Sequence, residues 1–521
     1  MRAAAKSKIA NRGQSSSFKS IPAPVSGWNA IDAIADMKDT EALTLENWFP
    51  QTGYCEIRGG STSHATGMMG NGKTLMIHNS ITGTNKMFCS TASGVYNVSS
   101  AGAVGASVAA RTNGKHQWTM FGDGTNQWLI AVNGVDKPLY YDGTTWVAVD
   151  GASVPALTGL TTTTLVGLTI FKGRLMFLQN SSLAFWYLPS GVAGGLLVKF
   201  DLSGVAQMGG YLMAMASWTL DPGIGPDDRM VFVTSKGEVL LYGGSDPSSA
   251  STWGLVGVYK TGIPLGRKCI VKQGSDLVIL TQSGAFAMNT ITQATGSSYA
   301  GAVSRKIQTI FNQSANLYGS IFGWCSVVVP AKNAVLVNIP HVEDGLHEQY
   351  VMNTITLAWC KFTGWNAEDF AVFNDELYYC SGTSVIHAWT GISDIGSNIV
   401  AYGKTAFGMF GTQTLKSINL MRPMLQADGP VNYFMDVDVD FEDKEIVGNP
   451  VITTSTSSLW DSGTWDSSLW GGSSLQIIKD WQSVNLWTGF YISGKIKIAT
   501  KQYSVRWLST DYMYDTGGLL T

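Results

Sequence analysis

Residues 127–149, QWLIAVNGVDKPLYYDGTTWVAV, set three short apolar runs around two turn signals, Asn133-Gly134 and Asp142-Gly143. Asn-Gly and Asp-Gly tolerate the positive φ that tight hairpin turns require, so the stretch predicts antiparallel strands joined as a meander. The same plan recurs outward from residue 74 to residue 392. Its inner apolar runs are Lys86 to Ser90, Gln127 to Asn133, Arg174 to Gln179, Met230 to Thr234, Asp276 to Thr281, Ala334 to Asn338 and Glu376 to Cys380. Their starts lie roughly 40 to 60 residues apart, the spacing of propeller blades. Long helical periodicity is nearly absent, and radial repetition removes most sheet edges. The reading is all-β: a β-propeller of six or seven irregular blades over residues 66–395. The insertion from Asp221 to Asp228 leaves the count open, and an array of β-sandwiches is the structural alternative.

After Gly396 the pattern changes, and residues 396–521 read as a smaller C-terminal β-domain. From Val431 to Phe441 the chain alternates: Met435, Val437, Val439 and Phe441 face one way, and Asp436, Asp438 and Asp440 the other. Asp436-x-Asp438-x-Asp440 resembles the start of a calcium loop, but Phe441 stands where the bend needs glycine and Val447 where the bidentate glutamate belongs. An acidic strand face lining a channel is the sharper expectation. A low-complexity tip loop, 455–475, carries Trp460, Trp465 and Trp470 five residues apart as candidate tip contacts.

Ahead of the body, residues 1–25 form a basic arm expected to be flexible, with Arg2, Lys6, Lys8, Arg12 and Lys19 and no acid before Asp32. Residues 26–65 are an aromatic anchor segment. Asp39-Thr40-Glu41-Ala42 reads as a helix N-cap with an acidic first turn, stopped by Pro50. Asn47-Trp48-Phe49-Pro50 reads as an aromatic knuckle that buries its rings on its own chain or on a neighbour. Trp28, Asn47, Trp48, Phe49, Pro50 and Arg58 are therefore the candidate assembly contacts.

Composition narrows the classes. Charged residues make up 14% of the 521, against about 25% in a typical domain, while Gly (59) and Trp (18) are abundant. A formal net charge of -3 argues against wholesale neutralisation of phosphates. The six cysteines, Cys55, Cys89, Cys269, Cys325, Cys360 and Cys380, lack C-x-x-C spacing and read as free thiols of a reducing cytoplasm. No apolar run approaches the roughly 20 residues of a membrane span, so a soluble protein is expected.

Motifs that invite chemistry fail on context. Gly67 to Thr74 spells the phosphate-loop pattern G-x-x-x-x-G-K-T, yet Thr74 to His78 reads as a strand where the mechanism needs a helix. His341, Glu343, Asp344, His347 and Glu348 gather ligand types in one apparent hairpin, which is expected to be a charged, solvated tip and not a metal site. Asp227 and Asp228 lack an identifiable carboxylate across a cleft. No catalytic, cofactor or metal residues are assigned, and no enzyme is expected.

The chain resembles the nozzle, or packaged-DNA stabilisation, proteins of short-tailed bacteriophages. The resemblance rests on Gly27-Trp28-Asn29-Ala30, Asp32, Asp36-Met37, Asn47-Trp48-Phe49-Pro50, Gly53-Tyr54 and Arg58-Gly59-Gly60. It continues through Val132 to Pro138, Tyr141-Asp142-Gly143, Lys172-Gly173-Arg174, Trp186 to Pro189, Ser217-Trp218-Thr219, Asp227-Asp228, Thr234 to Glu238 and Tyr242 to Pro247. It implies a virion tail protein made in the host cytoplasm: a homo-oligomeric, hexameric ring on the portal and adaptor, neighbouring a tail needle, fibres or tailspikes. DNA would pass through it without sequence-specific binding, retained after packaging and conducted at ejection. A propeller-type tail adhesin that binds or cleaves host glycans is the rival, since exposed tryptophans suit sugar faces.

Overall fold

Asn133-Gly134 and Asp142-Gly143 turn the chain as their chemistry dictates. Gly134 and Gly143 adopt φ of 76° and 101°, while Asn133 Oδ1 accepts from the Val135 and Asp136 amides and Asp142 Oδ1 from those of Thr144 and Thr145. The strands between them pair antiparallel, Leu129 with Tyr141 and Tyr140 with Val147. In the computed structural model the described residues are 16–81, 83–220, 227–293, 301–444, 446, 476–484 and 487–516.

Among them, seven antiparallel meanders follow one another and form the blades of a β-propeller. The first comprises Thr74–His78, Lys86–Ser90 and Val95–Asn97; the second, Gln117–Gly122, Gln127–Val132, Leu139–Tyr141 and Trp146–Ala148. The third runs from Leu165–Phe171 to Val198–Asp201, the fourth from Leu212–Leu220 to Trp253–Lys260, and the fifth from Ile270–Gln273 to Gly284–Ala287. Helix Gln308–Tyr318 precedes the sixth, which runs from Cys325–Val329 to Trp359–Thr363. The seventh, Asp369–Phe373, Glu376–Ser381 and Ser384–Ala388, takes its fourth strand, Ser61–Thr66, from the start of the propeller. That strand closes the ring. The opening strands of blades two, three and four lie side by side, as do those of blades five, six, seven and one.

Every inner run read from the sequence is the second strand of a blade. Second strands are covered on both faces by neighbouring blades, so Gln127–Val132 and Ala334–Pro340 are buried almost throughout. Apolar clusters accordingly lie between successive blades: Phe121, Ile130 and Tyr140 meet Leu168 and Phe177 between the second and third. Met176, Phe185 and Phe232 join the third to the fourth. Among the described residues the blade count is seven, and Leu220 pairs with Asp227 in the fourth.

The propeller unit spans Arg58–Ile399; the remaining unit joins the segment up to Ile57 to Val400–Thr521. In this second unit Val505–Thr516 pairs with Lys416–Ala427, with Ser16–Pro22 and with Cys55–Ile57. A second sheet sets Ile399–Thr405 between Glu41–Glu46 and Ile492–Thr500, with Tyr433–Val439 outside. Ile21, Ile418, Met421, Val437, Ile492 and Tyr512 fill the space between. The helix expected after Asp39 is corrected, since Glu41–Glu46 is a strand, fixed by pairing with Tyr402 to Thr405. Pairing across the sheet overrides the local capping signal. Part of the basic arm is strand as well, Ser16–Pro22. Among the described residues no helix is long and apolar enough to cross a membrane.

Candidate functional site

The propeller's axis holds two adjoining cavities of about 310 and 380 Å³ that share Gln117, Met213, Arg267, Lys268 and Cys325. Opening strands supply much of this lining, as blade geometry dictates: Gln117–Gly122, Leu212–Leu220 and Cys325–Val329 all contribute. The segment between the fourth and fifth blades adds Arg267 and Lys268. Lys268 Nζ stands 2.7 Å from Asp369, which also accepts from the Leu75 amide. Among the described residues Arg267 reaches only the Met213 carbonyl at 3.3 Å and Asn180 at 3.5 Å, with the Tyr211 ring 5.9 Å away. Burial lowers its pKa from the ordinary arginine value.

One wall of the smaller cavity is ionic. Lys73 Nζ lies 2.8 Å from both Glu343 and Asp344 and 3.6 Å from Glu368, and Lys115 pairs with Glu343 at 2.7 Å above the Phe322 ring. Glu368 is 2% exposed; its Oε1 accepts from the Asp344 amide, and its Oε2 makes no hydrogen bond. Burial, only partly offset by that amide and by Lys73, pushes its carboxyl up to about 7. A carboxyl raised this far can carry a proton and donate as well as accept. Burial pushes the Cys325 thiol up to about 12, so it stays protonated and is a poor nucleophile.

The hairpin that carries His341 and His347 has a charged, exposed tip over Val342, Glu343, Asp344 and Leu346, as read, but its base is buried. Its acids fold onto Lys73, while His347 is fully buried with Nε2 3.7 Å from Glu368. His341 stacks on Tyr318 and faces Glu348 at 3.2 Å. The phosphate-loop lookalike is a connection between strands Ser61–Thr66 and Thr74–His78. Its lysine is occupied by three acids. Asp228 accepts from the Thr219 hydroxyl across a hairpin.

The candidate assembly contacts lie inside the chain, and the knuckle buries its rings on its own chain, one of the two alternatives read from the sequence. Trp48 is wholly buried, its ring 5.6 Å from that of Trp507. Gly403 makes room for the pair, because a Cβ there would meet Trp507 at 2.7 Å. Phe49, Pro50 and Trp28 are also buried. Asn47, at φ 57°, donates to the Val400 carbonyl and turns the chain between two strands. A strand buried on both faces needs its aromatic rings for its own core. Arg58 is buried beneath Trp365, forked on Asp394 at 2.6 and 3.0 Å and donating to the Thr363 and Gly59 carbonyls.

The acidic face is corrected too. Asp438 is 2% exposed and lies 2.7 Å from both Lys404 and Lys495. Burial opposes its ionisation, but the two ammonium groups outweigh burial and hold the carboxyl below its usual range. Asp436 takes a hydrogen bond from Trp487, and Asp440, past the strand end, accepts from the Phe490 and Tyr491 amides. The lysines come from other strands of the sheet, so alternation within one strand could not reveal them. Trp460, Trp465 and Trp470 lie outside the described residues.

Sequence reasoning passed over Arg267, Lys268 and Glu368. Their signal was weak: Arg267-Lys268 is a lone basic pair, and Glu368 stands next to the opening strand of the last blade.

No family model and no curated protein matches the chain. Solved structures of low identity do. The β-propeller domain of Myceliophteria thermophila Cps50 (Swd1) aligns at 12% identity and a TM-score of 0.41, over 63% of this chain and 99% of that one. YCF48 from Cyanidioschyzon merolae aligns at 11% and 0.34, over 64% and 96%. The extracellular domain of a hybrid two-component system from B. thetaiotaomicron aligns at 10% and 0.39; this chain matches 60% of itself to 40% of that one. The chain is similar to these proteins as an all-β propeller, a fold that its own strand topology establishes.

Proposed function

We propose that this chain is a structural protein of a short-tailed phage virion. Six copies form a ring below the portal and adaptor that extends the DNA exit channel, retains the packaged genome and conducts it during ejection. The observation that carries the reading is where the ordered motifs fall in the fold. Arg58-Gly59-Gly60 stands at the ring closure, where a Cβ on Gly60 would meet the Ser393 carbonyl at 2.1 Å. Asn133-Gly134, Asp142-Gly143 and Lys172-Gly173 turn blade hairpins. The motifs thus follow the backbone demands of a propeller joined to a second β-unit, the subunit layout that the resemblance implies. The role is mechanical and not catalytic, and with a net charge of -3 the chain offers DNA little adhesion.

Negative-stain electron microscopy of the purified chain, alone and with an adaptor ring, tests this. Six-fold rings or a docked cap on the adaptor are expected, with the chain located at the tail vertex of the particle. A monomer that neither closes a ring nor docks overturns the proposal, and glycan binding by that monomer would turn it toward a tail adhesin.

A further inference from the structure

We propose that the cavity at the propeller axis is a binding site for a small phosphate-type oxyanion, seated against Arg267 and flanked by Lys268 and Lys272. This stands on the propeller's own geometry and holds whether or not the virion reading does. Three observations carry it.

The first is uncompensated charge. Lys268 is matched by Asp369 at 2.7 Å, but the described residues place no carboxylate within 4 Å of Arg267 or of Lys272, which lines the adjoining cavity. A guanidinium offers five N–H donors in a planar fork. Arg267 uses two contacts, both long, which leaves donors for a bidentate oxyanion. The second is shape. The cations stand with Leu168, Met213 and Trp324 around two half-open hollows of a few hundred Å³, the size of small-molecule sites.

The third is a buried carboxyl oxygen that, among the described residues, makes no hydrogen bond. Glu368 lines the smaller cavity at 2% exposure, and its Oε2 has only the Lys73 ammonium nearby, 3.6 Å away and itself shared with Glu343 and Asp344. Protonated, that carboxyl can donate to an anion in the cavity. Asn113 and Gln117 line the same space with amide groups suited to hydroxyls of a phosphate ester. The ligand is therefore free phosphate or a short phosphomonoester.

Isothermal titration of the full chain with inorganic phosphate and with glycerol phosphate, at low ionic strength and with equimolar chloride as control, tests this. Saturable one-to-one binding is expected, weakened about tenfold or more by Arg267→Gln and several-fold by Lys272→Gln, with thermal melts unchanged. Tighter glycerol phosphate makes an ester the ligand; tighter inorganic phosphate makes it the free ion. If Arg267→Gln does not fold, Lys272→Gln, at an exposed position, decides the matter. No saturable binding, or binding that the folded variants leave at the wild-type affinity, overturns the proposal.

Discussion

Removing either partner of the Arg58–Asp394 fork should unfasten the propeller at its closure, and the two removals should cost different amounts. The pair joins residues 336 apart, immediately before the closing strand Ser61–Thr66 and after the last strand of the seventh blade. The Arg58 side chain is 0% exposed and that of Asp394 15%. Asp394→Asn takes the carboxylate away from a buried guanidinium and leaves it uncharged neighbours that include the Thr363 and Gly59 carbonyls and the Trp365 and Phe362 rings. The cost should reach the upper part of the range for breaking a buried pair, about 4–5 kcal/mol. Arg58→Met leaves Asp394 partly solvated, with donors from Ser61 and from the Trp365 indole. About 3 kcal/mol is expected there. Paired replacement, Arg58→Met with Asp394→Leu, removes both charges and should cost less than Asp394→Asn alone. Urea unfolding followed by tryptophan fluorescence reads these differences, a shift of roughly 1 M or more in midpoint for Asp394→Asn. Equal costs for the two single variants, or a cost below 1 kcal/mol for Asp394→Asn, would refute the reasoning.

Three further outcomes follow from burial and charge. Trp48→Ala should destabilise the second unit by about 3–5 kcal/mol through the cavity left beside Trp507, seen as a lowered melting temperature of the isolated chain; Trp48→Phe should cost less, since the indole N–H has no hydrogen-bond partner. Asp438→Asn should cost about 3–5 kcal/mol by leaving Lys495, fully buried, with its charge poorly matched. Because the folded carboxyl titrates below its unfolded value, the Asp438 contribution is present above the unfolded pKa and is lost as pH falls through the folded one. The variant should therefore lose part of the acid-unfolding limb in a pH series of melts. Glu368 has the opposite sign: its folded pKa of about 7 exceeds the ordinary 4.5, so stability falls as pH rises from about 4.5 to 7, by roughly 3 kcal/mol. Glu368→Gln keeps the acceptor for Asp344 and should flatten that fall, which urea midpoints at pH 5 and pH 8 would show.

The propeller was legible because its second strands are covered on both faces and must be apolar along their whole length. Lys86–Ser90, Arg174–Gln179 and Asp276–Thr281 stand where the sequence puts them. The closing strand, Ser61–Thr66, was hidden: it sits at the end of the seventh blade, half exposed, and its sequence STSHAT carries no apolar run. Helix Gln308–Tyr318 was missed because eleven residues give little periodicity. The candidate contacts failed for another reason. Sequence shows that Trp48, Arg58 and Asp438 need partners, but not that Trp507, Asp394 and Lys495 are those partners, hundreds of residues away in two of the three cases. The axial cavity depends on strands from most of the ring and had no local signature at all.

The second unit's sheet binds Ser16–Pro22 to Val505–Thr516, which sets a timetable for synthesis. When residue 57 leaves the ribosome its partners lie roughly 450 codons ahead, a wait of about 20–90 s at ordinary elongation rates. Even the propeller cannot close until Ser384–Ala388 arrives to meet Ser61–Thr66. For that interval the early strands present unpaired edges and the Trp48 ring to the cell. Slowing translation, or withdrawing chaperones that shield nascent chains, should lower the yield of soluble protein far more than it changes the melting temperature of what does fold.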